Sequence, residues 1–299
     1  MSLNEKALLI AIDFTIPSGK KVDARVSNNV ADQYKISGGR KNSGNFSKVT
    51  IDPKFLKEPM GIKRRAVRAF DKMTLPWLHE DIKINLLPNS RYFEFSQIWR
   101  ECKRDMSQYR WNLENGLYDE MMQESQARLS GESQGNGLFV HWDYPPVDEF
   151  VGKFSMNCFV RPVPSADSMD LRVAVGEEES ERIRIEIQES MDKQFEETRL
   201  ALCDRIVEAV QHMKTVLSKD KPVIHETLME KMEDLVDILP ELNFSDDEDL
   251  DNVRDIIKEE LVEDVQTLRD DKLIQKDVLN STESILSKME KIYAARTEA

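Results

Sequence analysis

Apolar residues in the first part of the chain come in short, irregular bursts, whereas beyond residue 176 they recur at helical spacing with no glycine between them. The first burst, ALLIAIDFT at residues 7–15, predicts a buried strand. Pro17, Ser18 and Gly19 predict the turn that follows it. A short helix is expected over 24–35 with Ser27 as its cap, then a polar, glycine-rich loop over 37–48. Residues 53–73 predict a basic helix opened by Asp52 and Pro53. Pro59 and Gly61 are expected to break it, leaving regular helix over 62–73, and TLPWL at 74–78 reads as a turn.

Farther on, Phe93, Ile98, Cys102, Met106, Tyr109, Leu113, Leu117 and Met121 recur near the helical period. They predict one long helix over 91–128, capped by Asn89 or Ser90. Residues 130–137 read as a flexible loop, and a short helix is expected near 146–152. Alternation over 153–162 and 169–175 predicts a hairpin.

The pattern then changes. Ile183, Ile187, Met191, Phe195, Leu202, Ile206, Val210, Met213 and Leu217 form one stripe on a helix of about 35 residues, longer than a globular helix usually runs. The stripe lacks a strict heptad, so it is no regular coiled coil, but Ile183, Ile187, Met191, Phe195, Leu202 and Ile206 are candidates for self-association. Pro222 and Pro240 bracket a helix near 223–239. SDDEDLD at 245–251 starts an acidic helix, capped by Ser245 and running to about 270. The last helix is expected over 272–295 with a break at Asn280. The fold class that follows is α+β and predominantly α-helical, with a small hairpin or sheet in the N-terminal half. Three domains are expected: 1–176, a long connecting helix at 177–220, and an acidic helical module at 221–299.

Charge sharpens this division. The net charge is −14, yet residues 177–299 hold 34 Asp and Glu against 17 Lys and Arg, and residues 1–176 hold 22 against 25. All glycines and all four tryptophans lie at or before Gly176. Three scattered cysteines, Cys102, Cys158 and Cys203, argue against a disulfide framework and suit a reducing, cytoplasmic setting. The apolar run near the N-terminus is interrupted by Asp13, so a signal peptide is not expected. No stretch reaches the roughly 20 apolar residues of a membrane helix.

Candidate chemistry is sparse. His141 and Asp143 lack a third ligand nearby, and HETLME at 225–230 carries Met229 where a zinc-binding H-E-x-x-H motif needs histidine. There is no G-x-S-x-G, and the four histidines suggest no triad. An enzyme built on Asp13 or His141 is the weakest reading, so no catalytic residue, metal or cofactor is expected. Arg40 and Lys41 in the glycine loop, with Lys57, Lys63, Arg64, Arg65 and Arg68, are the candidate contacts for a phosphate or nucleic acid. The opposing reading is a solvated face, or one that meets the protein's own acidic half. Asp246, Asp247, Glu248, Asp249, Asp251, Asp255, Glu259, Glu260, Glu263 and Asp264 are the candidate partner surface; spaced carboxylates on rigid helices can imitate a DNA backbone and attract a basic partner.

Four stretches in order, NFSKVTIDPKFLKEP (45–59), MTLPWLHEDIKINLLPNSRY (73–92), the long helix after it, and YPPVDEFVGKFSMNCFVRPVP (144–164), resemble domain of unknown function 3150 of bacteriophages and bacteria. The likeness covers about residues 20–220. It implies a phage-type product in a host cytoplasm, and an adaptor role beside an AAA+ ATPase. It carries over no catalytic residues. The expected activity is protein–protein interaction with a host or phage protein, as a homo-oligomeric adaptor or a stoichiometric inhibitor of a defence factor. Direct nucleic-acid binding through 38–68 is the alternative.

Overall fold

The computed structural model describes residues 3–78, 83–131, 137–164 and 177–297. The protein is mostly helical with a small antiparallel sheet. In chain order the described elements are α1 (Leu3–Lys6), β1 (Ala7–Thr15), β2 (Lys20–Val22), α2 (Ala24–Gln33), α3 (Arg40–Ser43), β3 (Ser47–Val49), α4 (Pro53–Met73), β4 (Leu75–Leu78), β5 (Ile84–Pro88), α5 (Tyr92–Asn112), α6 (Tyr118–Leu129), α7 (Val147–Gly152), β6 (Ser155–Pro162), α8 (Glu177–Leu217), α9 (Glu226–Leu242), α10 (Glu248–Glu260), α11 (Val265–Asp270) and α12 (Lys272–Thr297). The sheet runs β4-β5-β1-β6.

Two compact units emerge, and they do not follow the expected boundary at 176. A central unit comprises Ile12–Ala69 and Ser96–Cys158; a C-terminal unit comprises Met1–Ala11, Phe70–Phe95 and Phe159–Ala299. The central unit carries 19 Lys and Arg against 15 Asp and Glu, and the C-terminal unit 23 against 41.

In the central unit, β2 and β3 form an antiparallel pair in the register Lys20↔Val49. The cap of α2 is Asp23, whose side chain accepts from Val26 N at 3.1 Å, and not Ser27. Ser27 is buried inside the helix instead, donating to Asp23 O at 2.7 Å and accepting from Phe46 N at 2.9 Å. The loop expected over 37–48 contains α3 and the start of β3.

Helix α4 is unbroken through Pro59. Proline lacks the N–H that would bond the carbonyl four residues back, at Phe55. The buried Tyr109 supplies the missing donor: its hydroxyl gives a hydrogen bond to Phe55 O at 2.8 Å. Phe55, Leu56, Ile62, Ala66 and Ala69 face the unit's interior. There Tyr109, Phe150 and Phe154 pack with ring centroids 5.2 and 5.3 Å apart. The expected single helix over 91–128 is kinked between α5 and α6, at Asn115 and Gly116, where Gly116 takes φ 115°. Only glycine adopts that backbone freely, so the Asn-Gly pair sets the break. Asn89 and Ser90 are not its caps; a 3-10 turn at Asn89–Arg91 precedes α5, and the Ser90 hydroxyl bonds Glu241.

In the C-terminal unit, TLPWL is a strand and not a turn. Leu75 and Trp77 are both buried in the core, and β4 pairs antiparallel with β5, which pairs with β1 in the register Leu8↔Leu87. Pro76 is tolerated because β4 is an edge strand, where a ladder N–H can be missing. Of the predicted hairpin, 155–162 is a strand and 169–175 lies outside the described residues.

The same unit holds the long helix α8 of 41 residues, within which the predicted stripe falls. Its second half packs Leu202, Ile206, Val210, Met213 and Leu217 into a core with β4, α9 and α12, a core that includes Met232, Leu239, Leu250, Ile257, Ile285 and Met289. Pro240 lies inside the last turn of α9, which runs to Leu242. The cap of α10 is Asp247, accepting from Asp249 N at 3.0 Å; Ser245 instead donates to the Asn243 side chain. Helix α10 stops at Glu260, and Asp264 caps a separate α11. Helix α12 passes Asn280 without a break, with Thr282 buried and its hydroxyl bonded to Leu279 O at 2.6 Å. Arg205 closes the carboxyl end of α4, donating to Lys72 O at 2.7 Å and Asp71 O at 3.2 Å. These carbonyls have no partner within the helix, and a cation suits the negative end of its dipole.

Candidate interaction surfaces

The unbroken α4 decides where the predicted basic residues point. At 100° per residue, Lys57, Gly61, Arg64 and Arg68 fall on one stripe opposite the buried face, and the three cations are exposed. Among the described residues no carboxylate pairs with any of them. Their neighbours differ. Arg65 turns aside to pair with Asp105, and its Nε donates to Cys102 Sγ at 3.2 Å. Lys63 lies 5.8 Å over the Phe14 ring. Lys54 meets Glu124 at 3.3 Å. Lys72, at the far end, pairs with Asp234 at 2.6 Å within the C-terminal unit. Arg40 and Lys41 are exposed on α3, in a loop whose Gly38, Gly39 and Gly44 all take positive φ.

Several carboxylates of the central unit are engaged by cations. Lys48 is buried and bridges two acids, Asp23 at 3.0 Å and Asp143 at 2.5 Å, and donates to Leu138 O at 2.8 Å. Lys21 adds a second cation to Asp143 at 3.0 Å. Burial opposes ionisation of Asp23 and Asp143, but the hydrogen bonds and charge of Lys48 outweigh it and hold both below the usual carboxylate range. Burial likewise opposes the Lys48 charge, and the two carboxylates overcome it and raise its pKa. Asp143 is thus held by Lys48 and Lys21. Among the described residues no group of three His, Cys, Asp or Glu could hold a metal ion. Among the described residues Asp13 accepts a long bond from Asn157 at 3.4 Å. His79 lies outside the described residues.

On the acidic side, half of the predicted carboxylates serve the fold. Asp246 pairs with Lys6, which lowers its pKa. Asp247 caps α10 and meets Arg199 at 3.2 Å. Asp255 pairs with Arg254 at 2.5 Å, and Asp251 lies 4.0 Å from the same guanidinium. Asp264 caps α11. Glu248, Asp249, Glu259, Glu260 and Glu263 have no cation among the described residues, and all but the half-buried Glu263 are exposed. A groove of about 600 Å³ opens beside them between α10 and α12, with Asp249, Asp255 and Glu259 on one wall and Lys288 and Lys291 on the other.

The self-association stripe divides. Leu202 and Ile206 are fully committed to the intramolecular core, and Met191 and Phe195 pack against it. Ile183 and Ile187 are half-buried, and Ile185 beside them is 52% exposed. No described helix is long and apolar enough to cross a membrane. No family model, curated protein or solved structure matches the chain.

Two features escaped the sequence reading. Tyr109 looked like one more apolar position, though a proline in a helix calls for a donor somewhere. The Lys48 cluster joins residues 23, 48 and 143, and no local pattern links such distant positions.

Proposed function

We propose that the protein acts by protein–protein interaction, as an adaptor or stoichiometric inhibitor that presents the outer face of α10 to a basic partner. The observation that carries this reading is the uncompensated row Glu248, Asp249, Glu259 and Glu260 beside the α10–α12 groove. These side chains are exposed, and the core contacts of the helix are made by Leu250, Val253 and Ile257. A surface that remains charged after every cap and ion pair has been satisfied raises the encounter rate with an oppositely charged protein. The resemblance to domain of unknown function 3150 suits a phage product working on a host factor or an AAA+ ATPase. Self-association would rest on Ile183 and Ile187, the part of the stripe outside the core, with Ile185 exposed beside them.

Deleting 221–299 is the wrong test, because those helices complete the core of α8. Reversing Glu248, Asp249, Glu259 and Glu260 to Lys keeps the core intact. Tagged wild-type protein is expected to retain a basic protein from host cells producing it, and the reversed variant to lose that protein while still unfolding cooperatively, at a midpoint slightly lowered by lysines in the first turn of α10. Retention of the same protein by both forms sinks the proposal.

A further inference from the structure

We infer that the outer face of α4 is a nucleic-acid backbone site, independent of the acidic surface. Segment 12–69 holds 13 Lys and Arg against five Asp and Glu. Its own carboxylates remove part of that excess: Asp23 is bound to Lys48, and Asp32, Asp52 and Glu58 are not on the stripe. Lys54, Lys63 and Arg65 are drawn to Glu124, Phe14 and Asp105. On α4, where Lys72 is also paired, what remains is a row of three cations, Lys57, Arg64 and Arg68, aligned by one rigid helix.

The row has the reach of a short stretch of backbone. Eleven residues of α-helix at 1.5 Å each place Lys57 and Arg68 about 16 Å apart along the axis. A single strand of a duplex advances about 3.4 Å per phosphate, so the row spans roughly five nucleotides. Gly61 sits in the middle of the row, and a Cβ built there would meet nothing within 4 Å. The gap leaves room for a sugar-phosphate chain to approach the helix closely. Two of the three cations are arginines, whose planar fork matches a phosphate in two hydrogen bonds.

The same face fits a membrane poorly. Met60 is its one exposed large apolar residue, at 44%, and an interfacial helix needs an apolar face to bury in the acyl boundary. No aromatic side chain lies on the row, so base stacking adds nothing and binding is expected to be sequence-independent and sensitive to salt.

Fluorescence anisotropy of the full chain with a labelled oligonucleotide, offered single-stranded and as a duplex, tests this. Three phosphate contacts predict a log–log salt slope of about −2 on single strands and −3 on duplex, a loss of roughly ten- to twentyfold between 50 and 150 mM salt. The comparison of arms shows which form the row prefers. The variant Lys57→Glu, Arg64→Glu, Arg68→Glu is expected to lose at least about tenfold in affinity at constant thermal midpoint, since all three positions are exposed. A control, Lys219→Glu, Lys221→Glu, Lys276→Glu, changes net charge equally at exposed sites of the C-terminal unit and is expected to keep binding. The inference is overturned if wild-type protein binds neither form at 50 mM salt, if both variants weaken equally, or if poly-glutamate binds the row and nucleic acid does not.

Discussion

The two units balance their charges in opposite directions. In the central unit the carboxylates are the scarcer partner, and four of them hold cations: Asp23 and Asp143 on Lys48, Asp105 on Arg65, Glu124 on Lys54. Cations are left over, on α4. In the C-terminal unit the cations are scarce: Lys6, Arg91, Arg199 and Arg205 go to Asp246, Glu241, Asp247 and the carboxyl end of α4. Carboxylates are left over, on α10. The lesson is that net charge counts residues the fold has already used. A partner meets only the remainder, and here it includes a basic row on one unit and an acidic set on α10 of the other.

The largest effect that sharpens this contrast is expected at Lys48. Its replacement by Met leaves the buried Asp23 without its close cation and Asp143 with Lys21 alone, and is predicted to cost about 3–5 kcal/mol in denaturant unfolding. The pH dependence follows from the signs. Asp23 and Asp143 are held below 3.8, so their contribution is complete above that pH and is lost as pH falls through the lowered folded values. Lys48 is raised above 10.5, so its contribution is complete below that pH and is lost as pH rises through the folded value. An unfolding series in acid is expected to show a shallower loss in the Met variant than in wild-type protein. Equal stability of the two forms at neutral pH contradicts the assignment.

Next in size is the stripe on α8. Ile206→Ala, at a fully buried position, should cost about 2–4 kcal/mol, and Ile183→Ser with Ile187→Ser less than about 0.5 kcal/mol. If the serine pair instead lowers the thermal midpoint as much as the alanine does, the division of the stripe is wrong.

Smaller still is Tyr109→Phe, which leaves Phe55 O without a donor and is predicted to cost about 1–2 kcal/mol. Restoring the backbone donor with Pro59→Ala in that background should recover part of the loss, a coupling that a double-mutant cycle reads directly. Additive effects would mean that the hydroxyl and the proline do not share one carbonyl.

Much of the fold was legible from periodicity. Strand β1, helix α7 and the long α8 fell close to where spacing put them, because each is long or strongly patterned. Helix ends were less legible. Asp23 and Asp247 took the capping roles expected of Ser27 and Ser245, since several residues of similar capping ability lay within four positions of each start. TLPWL was taken for a turn on the strength of Pro76, whose edge position only the assembled sheet reveals. The break expected at Pro59 failed for a long-range reason, the Tyr109 hydroxyl. That error mattered for the site: a helix starting at 62 would have excluded Lys57 from the row with Arg64 and Arg68. On the acidic side the sequence named ten carboxylates, and only the folded partners separate the five that are engaged from the five that are not.

The central claim is that the uncompensated face of α10 is what a protein partner meets. The most direct measurement is affinity purification from host cells, with the bound fraction identified and its mass ratio determined by light scattering. Three proteins would be compared: wild type, the α10 reversal and the α4 reversal. The account predicts a basic protein at a fixed ratio with wild type and the α4 reversal, and its absence with the α10 reversal. Wild-type protein running alone, or a partner that survives the α10 reversal and is lost with the α4 reversal, would contradict it.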